Sequence, residues 1–346
     1  MDLGERKQKI LAAIIESYIQ TGEPVGSKTL VERLDQSVSS ATIRNEMAEL
    51  ASWGYLEQPH TSAGRIPTAK AFRLYIDQLM ERQPLSEEDR RDIDTMLAGA
   101  AGDPERLIGE ASQALAESTG CAAVSTTPSE QGSLIRRIEI MRASPRAAAL
   151  LLMTGSGVLR SRVCRFDGDV PVAALQRLGN GLVDRFLGRP LADVGLPEVQ
   201  GLLLALGEDG LTCAPALTAF YELVQESAEA EVFLTGQLNL LQHPDYELES
   251  ARSLLHFLTQ REQLVNMLAA HHGGLRVVLG SESPRPELTG SSIIVTRYSP
   301  GSRTNGTLGL IGPQRMDYAS TIPRLEYFAH VVSRLLADMF GEEENG

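Results

Sequence analysis

With 346 residues, of which 42% are hydrophobic, 22% charged and 5% aromatic, the chain has the composition of a soluble globular protein of two or three domains. Its net charge of −13 argues against a broadly nucleic-acid-binding surface. The charge is uneven, however: residues 1–80 carry nine basic and ten acidic side chains and the remainder 23 and 35, so DNA affinity in the N-terminal part must come from a few placed residues.

Pattern excludes more. The most apolar run, AAALLLM at 147–153, is far shorter than the roughly 20 residues of a membrane span. The opening MDLGERKQKI carries charge where an export signal needs an apolar core. Cys121, Cys164 and Cys213 stand apart with no CxxC pair, which fits buried thiols rather than disulfides or metal ligands. The expectation is a cytoplasmic protein with no membrane anchor.

Residues 5–20 place Ile10, Leu11, Ile14, Ile15 and Tyr18 on one stripe, the spacing of an amphipathic helix, and Thr21-Gly22 with Pro24 stops it. Ser27 reads as the N-cap of a short second helix with Leu30, Val31 and Leu34 inward, followed by a turn at 35–38. A third helix starts at Ser39 or Ser40, buries Ile43, Met47 and Leu50, and ends at Gly54. Its opposite face carries Ala41, Asn45, Ala48 and Ser52, flanked by Thr42 and Arg44. Small side chains there let a helix enter a major groove about 12 Å wide, where Arg44 can pair with guanine and Asn45 with adenine. Ser40 and Thr42 at the helix start suit phosphate oxygens. The plain alternative is a surface helix whose polar side chains meet only water.

Two short apolar-containing runs, 55–58 and 65–68, flank the loop PHTSAG and read as a hairpin. Three helices followed by a hairpin make a winged helix-turn-helix. Its wing tip would bring His60, Thr61, Ser62 and Arg65 to the DNA backbone or minor groove, Arg65 being the best suited to a narrow groove. His60 reads equally well as a solvated turn residue.

At this point PVGSKTL, then SSATIRNEMAELASWGYLEQPHTSAGRIPT and FRLYID, closely resemble the HrcA family, the heat-inducible transcription repressors of bacteria. The resemblance is nearly continuous from Lys9 to Asp77. It departs at AKAF (69–72), where the family has an acidic residue, Lys, Gly and an aromatic; Ala71 in place of Gly makes a better helix.

Residues 69–82 follow as a fourth helix, 86–100 as a helix capped by Ser86, and 104–119 as another. From Gly120 the period changes to that of strands: CAAVST, LIRRIEIMRA, RAAALLLMT and VLRSRVCRF. Residues 171–188 and then most of 190–268 read as helical, with 216–236 and 248–268 as helix candidates. Strands resume at 275–280, 291–299 and 307–314, and a helix beginning at Ile322 closes the chain. The run from VVLGSES through TLGLIGPQRMDYASTIPRLEYFAHVVSRLL again resembles the family.

The expected fold is therefore α+β and multidomain. A winged helix-turn-helix occupies 1–83 and linker helices 84–119. By resemblance to the family, a GAF-like α+β domain formed by 120–169 and 271–346 is interrupted by a mostly helical inserted dimerisation domain at 170–270. The expected function is repression by a homodimer on an inverted repeat, its half-sites about 34 Å or a multiple apart. The resemblance implies an operator upstream of chaperone genes and modulation by the chaperonin GroEL. The alternative is a winged-helix regulator controlled by a small molecule in the GAF-like domain, which a melting shift with a nucleotide or metabolite would reveal.

An enzyme is not expected: GxSxG, P-loop and HExxH are absent, and no carboxylate pair has a partner base. His271-His272 reads as a helix end rather than a metal pair, and Asp317 as a cap. No cofactor or metal is called for.

Overall fold

The computed structural model describes residues 3–34, 39–60, 63–128, 133–155, 157–269, 273–299 and 305–340. The turn expected at 35–38, Thr61 and Ser62 of the wing, and His271-His272 lie outside the described residues.

The N-terminal unit has helices α1 (Glu5–Thr21), α2 (Ser27–Arg33) and α3 (Ser40–Ser52), then strands β1 (Leu56–Glu57) and β2 (Ile66–Pro67), which pair antiparallel. The apolar stripe of α1 is buried as its spacing requires, with Ile10, Leu11, Ile14 and Ile15 on the inside. Helix α4 (Ala69–Leu74) was expected to run to 82. It widens instead into a π turn over Tyr75–Leu79, closed by the Met80 N–H on the Tyr75 carbonyl at 2.8 Å, and the chain then leaves extended.

Helices α5 (Glu87–Ala98) and α6 (Pro104–Thr119), expected as a connection between domains, are packed into the body. Ile93 and Leu97 of α5 face the C-terminal helix, and Asp94 accepts hydrogen bonds from the Tyr327 hydroxyl at 3.1 Å and from Arg334 at 2.8 Å. One core runs from Ile10 and Phe72 in the winged helix through Leu107 and Leu115 to Tyr318 and Phe328.

The body is a five-stranded antiparallel sheet of β3 (Ala122–Thr126), β7 (Val232–Thr235), β8 (Arg276–Leu279), β9 (Ser291–Tyr298) and β10 (Gly306–Pro313), in the order β7-β3-β10-β9-β8. Helix α6 and the final helix α13 (Tyr318–Phe340) cover one face. Helices α10 (Gln237–Gln242), α11 (Leu248–Leu258) and α12 (Arg261–Ala269) cover the other, where Leu254, Phe257 and Leu264 pack on Val124, Ile293 and Val295. Burial from both sides accounts for the apolar centres of β9 and β10, residues 293–295 and 308–311.

Strands β4 (Ile135–Ser144), β5 (Ala147–Thr154) and β6 (Leu159–Arg165) do not join that sheet. They form a separate antiparallel sheet whose inner face packs on α7 (Val172–Phe186), α8 (Leu196–Ala205) and α9 (Glu208–Ala228) around its own core, including Ile138, Leu150, Leu178 and Phe220. This corrects the expected division at both ends. The strands placed in the discontinuous domain at 120–169 belong, from β4 onward, to the interrupting unit, which is α+β rather than mostly helical. Of the residues placed in the insertion at 170–270, Val232–Thr235 pair into the main sheet and the helices from Gln237 to Ala269 pack on its face. The physical reason is non-local pairing: β3 finds partners in β7 and β10 rather than in β4, which follows it in the chain. The helix expected over 216–236 ends at Ala228, and Val232–Thr235 pairs with β3. Likewise 248–268 breaks at Thr259-Gln260 into α11 and α12.

Helix α13 starts a turn earlier than expected, so Pro323 lies inside it. Proline cannot donate to the carbonyl four residues back. That carbonyl, on Ala319, accepts the Gln83 N–H at 3.0 Å instead, which fastens the end of the winged-helix region to α13. Asp317 caps the helix start: its carbonyl accepts the Thr321 N–H at 2.9 Å and its Oδ2 the Ser320 hydroxyl at 2.8 Å. No helix among the described residues is long and apolar enough to cross a membrane.

Candidate nucleic-acid interface

Helix α3 is seated by Ile43, Met47 and Leu50, which are buried, and this fixes what it turns outward. Ser39 caps it, its hydroxyl accepting the Thr42 N–H at 3.2 Å. Gly54, with φ +77°, takes the left-handed conformation that lets the chain turn straight from the helix into β1. The turn is held by Thr68, whose hydroxyl donates to the Gly54 carbonyl at 2.8 Å, and by Lys70, whose Nζ donates to the Trp53 carbonyl at 2.8 Å.

The outward face carries Ala41, Arg44, Asn45, Ala48 and Ser52, all exposed. Arg44 and Asn45 make no side-chain hydrogen bond or ion pair within the described residues, so both heads are free for a ligand. The acidic side chains of the same helix are occupied: Lys7 of α1 lies 2.7 Å from Glu46 and 3.0 Å from Glu49. Hydrogen bonds that Lys7 donates to those two carboxylates, Glu46 first, hold its ammonium above its ordinary pKa. Lys7 thus offsets the charge that would repel a phosphate backbone.

Ser40 and Thr42 are half-buried and already engaged. The Ser40 hydroxyl lies 3.0 Å from that of Ser27, joining the starts of α2 and α3, and the Thr42 hydroxyl lies 3.0 Å from that of Ser39. Where Ser27 and Ser39 are the donors of these pairs, the Ser40 and Thr42 hydroxyls keep their own protons for a phosphate oxygen. Their first task is to position the helix. The Ser27–Ser40 contact also brings the exposed Lys28 to the entrance of α3. Sequence reasoning passed over Lys28, although its place directly after the Ser27 cap was the signal.

Arg65 is at the base of the wing, half-buried, rather than at its tip. Its N–H and carbonyl pair with Val25 at 2.9 Å each, adding a third short edge to the hairpin, and its guanidinium donates to the Gln58 Oε1. Gln58 in turn donates to the Ala63 carbonyl at 3.0 Å, so Gln58 closes the loop across its neck. Gly64 is required there, because a Cβ would meet the Val25 carbonyl at 2.5 Å. His60 is exposed at the outer turn, where its carbonyl accepts the Ala63 N–H at 2.9 Å. The structure thus groups Arg44 and Asn45 on one face and sets Arg65 and His60 apart on the wing. Gln58, Lys7 and Gly64 were not singled out from the sequence.

The three cysteines are unpaired and buried, and burial raises the pKa of each thiol, Cys121 to about 11. Among the described residues no group of three or more His, Cys, Asp or Glu is placed to hold a metal.

Comparison with known proteins bears on the whole chain. A model of the winged helix-turn-helix transcription repressor, HrcA DNA-binding, matches residues 2–80, and a model of the HrcA protein C terminal domain matches 105–322. The heat-inducible transcription repressor HrcA of Clostridium botulinum (strain Eklund 17B / Type B) is 35% identical over 326 residues, covering 93% of this chain and 94% of that protein. That of Acetivibrio thermocellus is 30% identical over 350 aligned positions, covering both completely. A solved structure described as a hypothetical protein at 2.2 Å resolution shares the fold, with a TM-score of 0.66 and 24% identity over 98% of this chain and 100% of its own. The chain belongs to the HrcA family of heat-inducible transcription repressors, DNA-binding regulators rather than enzymes.

Proposed function

We propose that the protein represses transcription by occupying an inverted-repeat operator as a homodimer, with Arg44 and Asn45 of each α3 reading base edges in successive major grooves. The observation that carries this reading is the state of α3. Its two groove-reading side chains are exposed and unpaired, while Lys7 offsets part of the charge of its two glutamates. Ser40, Thr42 and Lys28 at the helix start, and His60, Thr61, Ser62 and Arg65 on the wing, would hold phosphates and fix the register.

Dimerisation is assigned to the β4–α9 unit. The outer face of its sheet presents Ala149, Leu151 and Met153 of β5 beside Leu159 and Val163 of β6, the last two 55% and 62% exposed. An uncovered apolar sheet face calls for a partner, and a second copy of the chain satisfies it by two-fold symmetry. We read the five-stranded body with its helices as the GAF-like domain of the family. The family resemblance extends the proposal to operators upstream of chaperone genes, and to the chaperonin GroEL as a partner that modulates repression in the cytoplasm.

Footprinting on the promoter of a chaperone operon, with and without GroEL, tests the reading. Protection of two half-sites by the native chain and its loss with Arg44→Ala support it. Protection that ignores the inverted repeat overturns it. A small-molecule effector would be betrayed by a melting shift. Its place would be the open cleft of about 250 Å³ near Ile19, His243, Arg315 and Thr321, since the sheet faces are filled.

A further inference from the structure

The β4–α9 unit is joined to the body by two chain crossings. Thr127 directly follows the outgoing strand β3, and Glu231 directly precedes the returning strand β7. There the Thr127 N–H donates to the Glu231 carbonyl at 2.8 Å, and the Glu231 N–H to the Thr127 hydroxyl at 2.8 Å. The unit has its own core, with no residue shared with the cores of the body. Backbone pairing at a two-strand neck fixes a pivot but not an angle. The angle needs a side chain.

We propose that Arg160 of β6 is the lock of this neck, holding the β4–α9 unit in one orientation, and that its release lets the unit swing. Its Nη1 lies 3.1 Å from Glu105 in the first turn of α6, and its Nη2 lies 3.0 Å from Glu231 on the returning strand. Among the described residues these are the ion pairs that tie the unit to the body. The other charged pairs of the unit are internal: Arg137 with Glu139, Arg162 with Glu222 and Glu226, Arg177 with Asp209, Arg146 with Asp169. The lock is also built to open. Arg160 Nε is buried without an acceptor, so opening to water regains a hydrogen bond that the closed state lacks. Without the guanidinium, Glu105 and Glu231 face each other as like charges, which drives the neck apart.

The consequence for function rests on the dimer reading above. If two β4–α9 units form the dimer, their angle on the body sets the distance between the two copies of α3, and Arg160 sets the half-site spacing that the protein accepts.

The test uses the full chain with spin labels at Glu88→Cys on α5 and Asp184→Cys on α7, both exposed, the three native thiols being buried. Labelled chain is diluted with an excess of unlabelled chain, and the distance distribution is read by double electron–electron resonance. One narrow distance is expected with Arg160, a broad or second population with Arg160→Met, and partial recovery with Arg160→Lys. Adding Glu105→Gln and Glu231→Gln to Arg160→Met should narrow the distribution again. A folded Arg160→Met variant, judged by circular dichroism and melting, with an unchanged distribution overturns the proposal. Should Arg160→Met not fold, Glu105→Gln alone decides by the same readout. In a second arm, operators with half-sites moved apart by one or two base pairs should cost the native chain about tenfold in affinity and Arg160→Met markedly less. A native chain that light scattering finds monomeric overturns the dimer reading. The label distances still decide the lock.

Discussion

Arg73 of α4 reaches out of the winged helix to Glu282 beside β8, its Nε donating to one carboxylate oxygen at 2.8 Å and its Nη2 to the other at 2.5 Å. The same Nη2 donates to the Val277 carbonyl at 2.8 Å. Glu282 also accepts the Leu279 N–H at 3.0 Å. Hydrogen bonding to Arg73, ahead of the Leu279 N–H, holds the Glu282 carboxyl below the usual carboxylate range. A folded-state pKa below the unfolded one gives stability that is complete above the unfolded value and is lost as pH falls through the folded one. The tie should therefore weaken only below about pH 4.3. Glu282 is 39% exposed, so the loss should be small, roughly 0–1 kcal/mol by the standard of surface pairs. Urea unfolding of the native chain and Glu282→Gln should differ at pH 7 and converge at pH 3. A difference that persists at pH 3 would refute the assignment.

The same junction is held more strongly by packing. Phe72 is 1% exposed, with its ring 6.4 Å from Tyr18 and 6.2 Å from Tyr318, so it belongs at once to the winged helix and the body. Phe72→Ala should cost roughly 3–5 kcal/mol. Because the core is continuous, the winged helix and the five-stranded body should melt together, and the variant should lower that one transition. A calorimetric trace in which the winged helix melts alone in the native chain would disprove the shared core.

The sequence was most legible where structure is local. The stripe of α1, the Ser39 cap, the Gly54 stop and the small outer face of α3 are all set within one or two turns, and each stands where its spacing put it. Legibility failed where partners are distant. Nothing near Ala122–Thr126 says that this strand pairs with Val232–Thr235 and Gly306–Pro313, or that Ile135, on the next strand of the chain, starts another sheet. Arg65 illustrates the same limit within the site. Its place beside a small-residue loop was readable, but its clasp with Gln58 and its pairing with Val25 depend on tertiary closure. The charge count near neutrality likewise says nothing of the place of Lys7, which lies between Glu46 and Glu49 across two helices.

Arg44 is unpaired and exposed, so replacing it removes no internal contact within the described residues. Arg44→Ala should leave the melting temperature unchanged and cost roughly 1–3 kcal/mol in operator affinity, with relaxed base preference at one position. Titration of operator and scrambled duplexes at fixed salt separates the outcomes. Equal loss on both would make Arg44 a phosphate contact.

Arg65 needs a paired experiment, because it both clasps the wing and carries a charge toward the DNA side. If its charge meets a phosphate, Arg65→Ala should weaken specific and scrambled duplexes alike and lower the salt slope of binding by about one unit. Gln58→Ala opens the same clasp but keeps the charge. It should loosen the loop, with a small fall in melting temperature, and leave the slope intact. If both variants weaken binding equally at an unchanged slope, the wing acts by shape and Arg65 leaves the set of phosphate contacts. If only Arg65→Ala changes the slope, the guanidinium divides its donors between Gln58 and the DNA backbone, as five N–H groups in a planar fork permit.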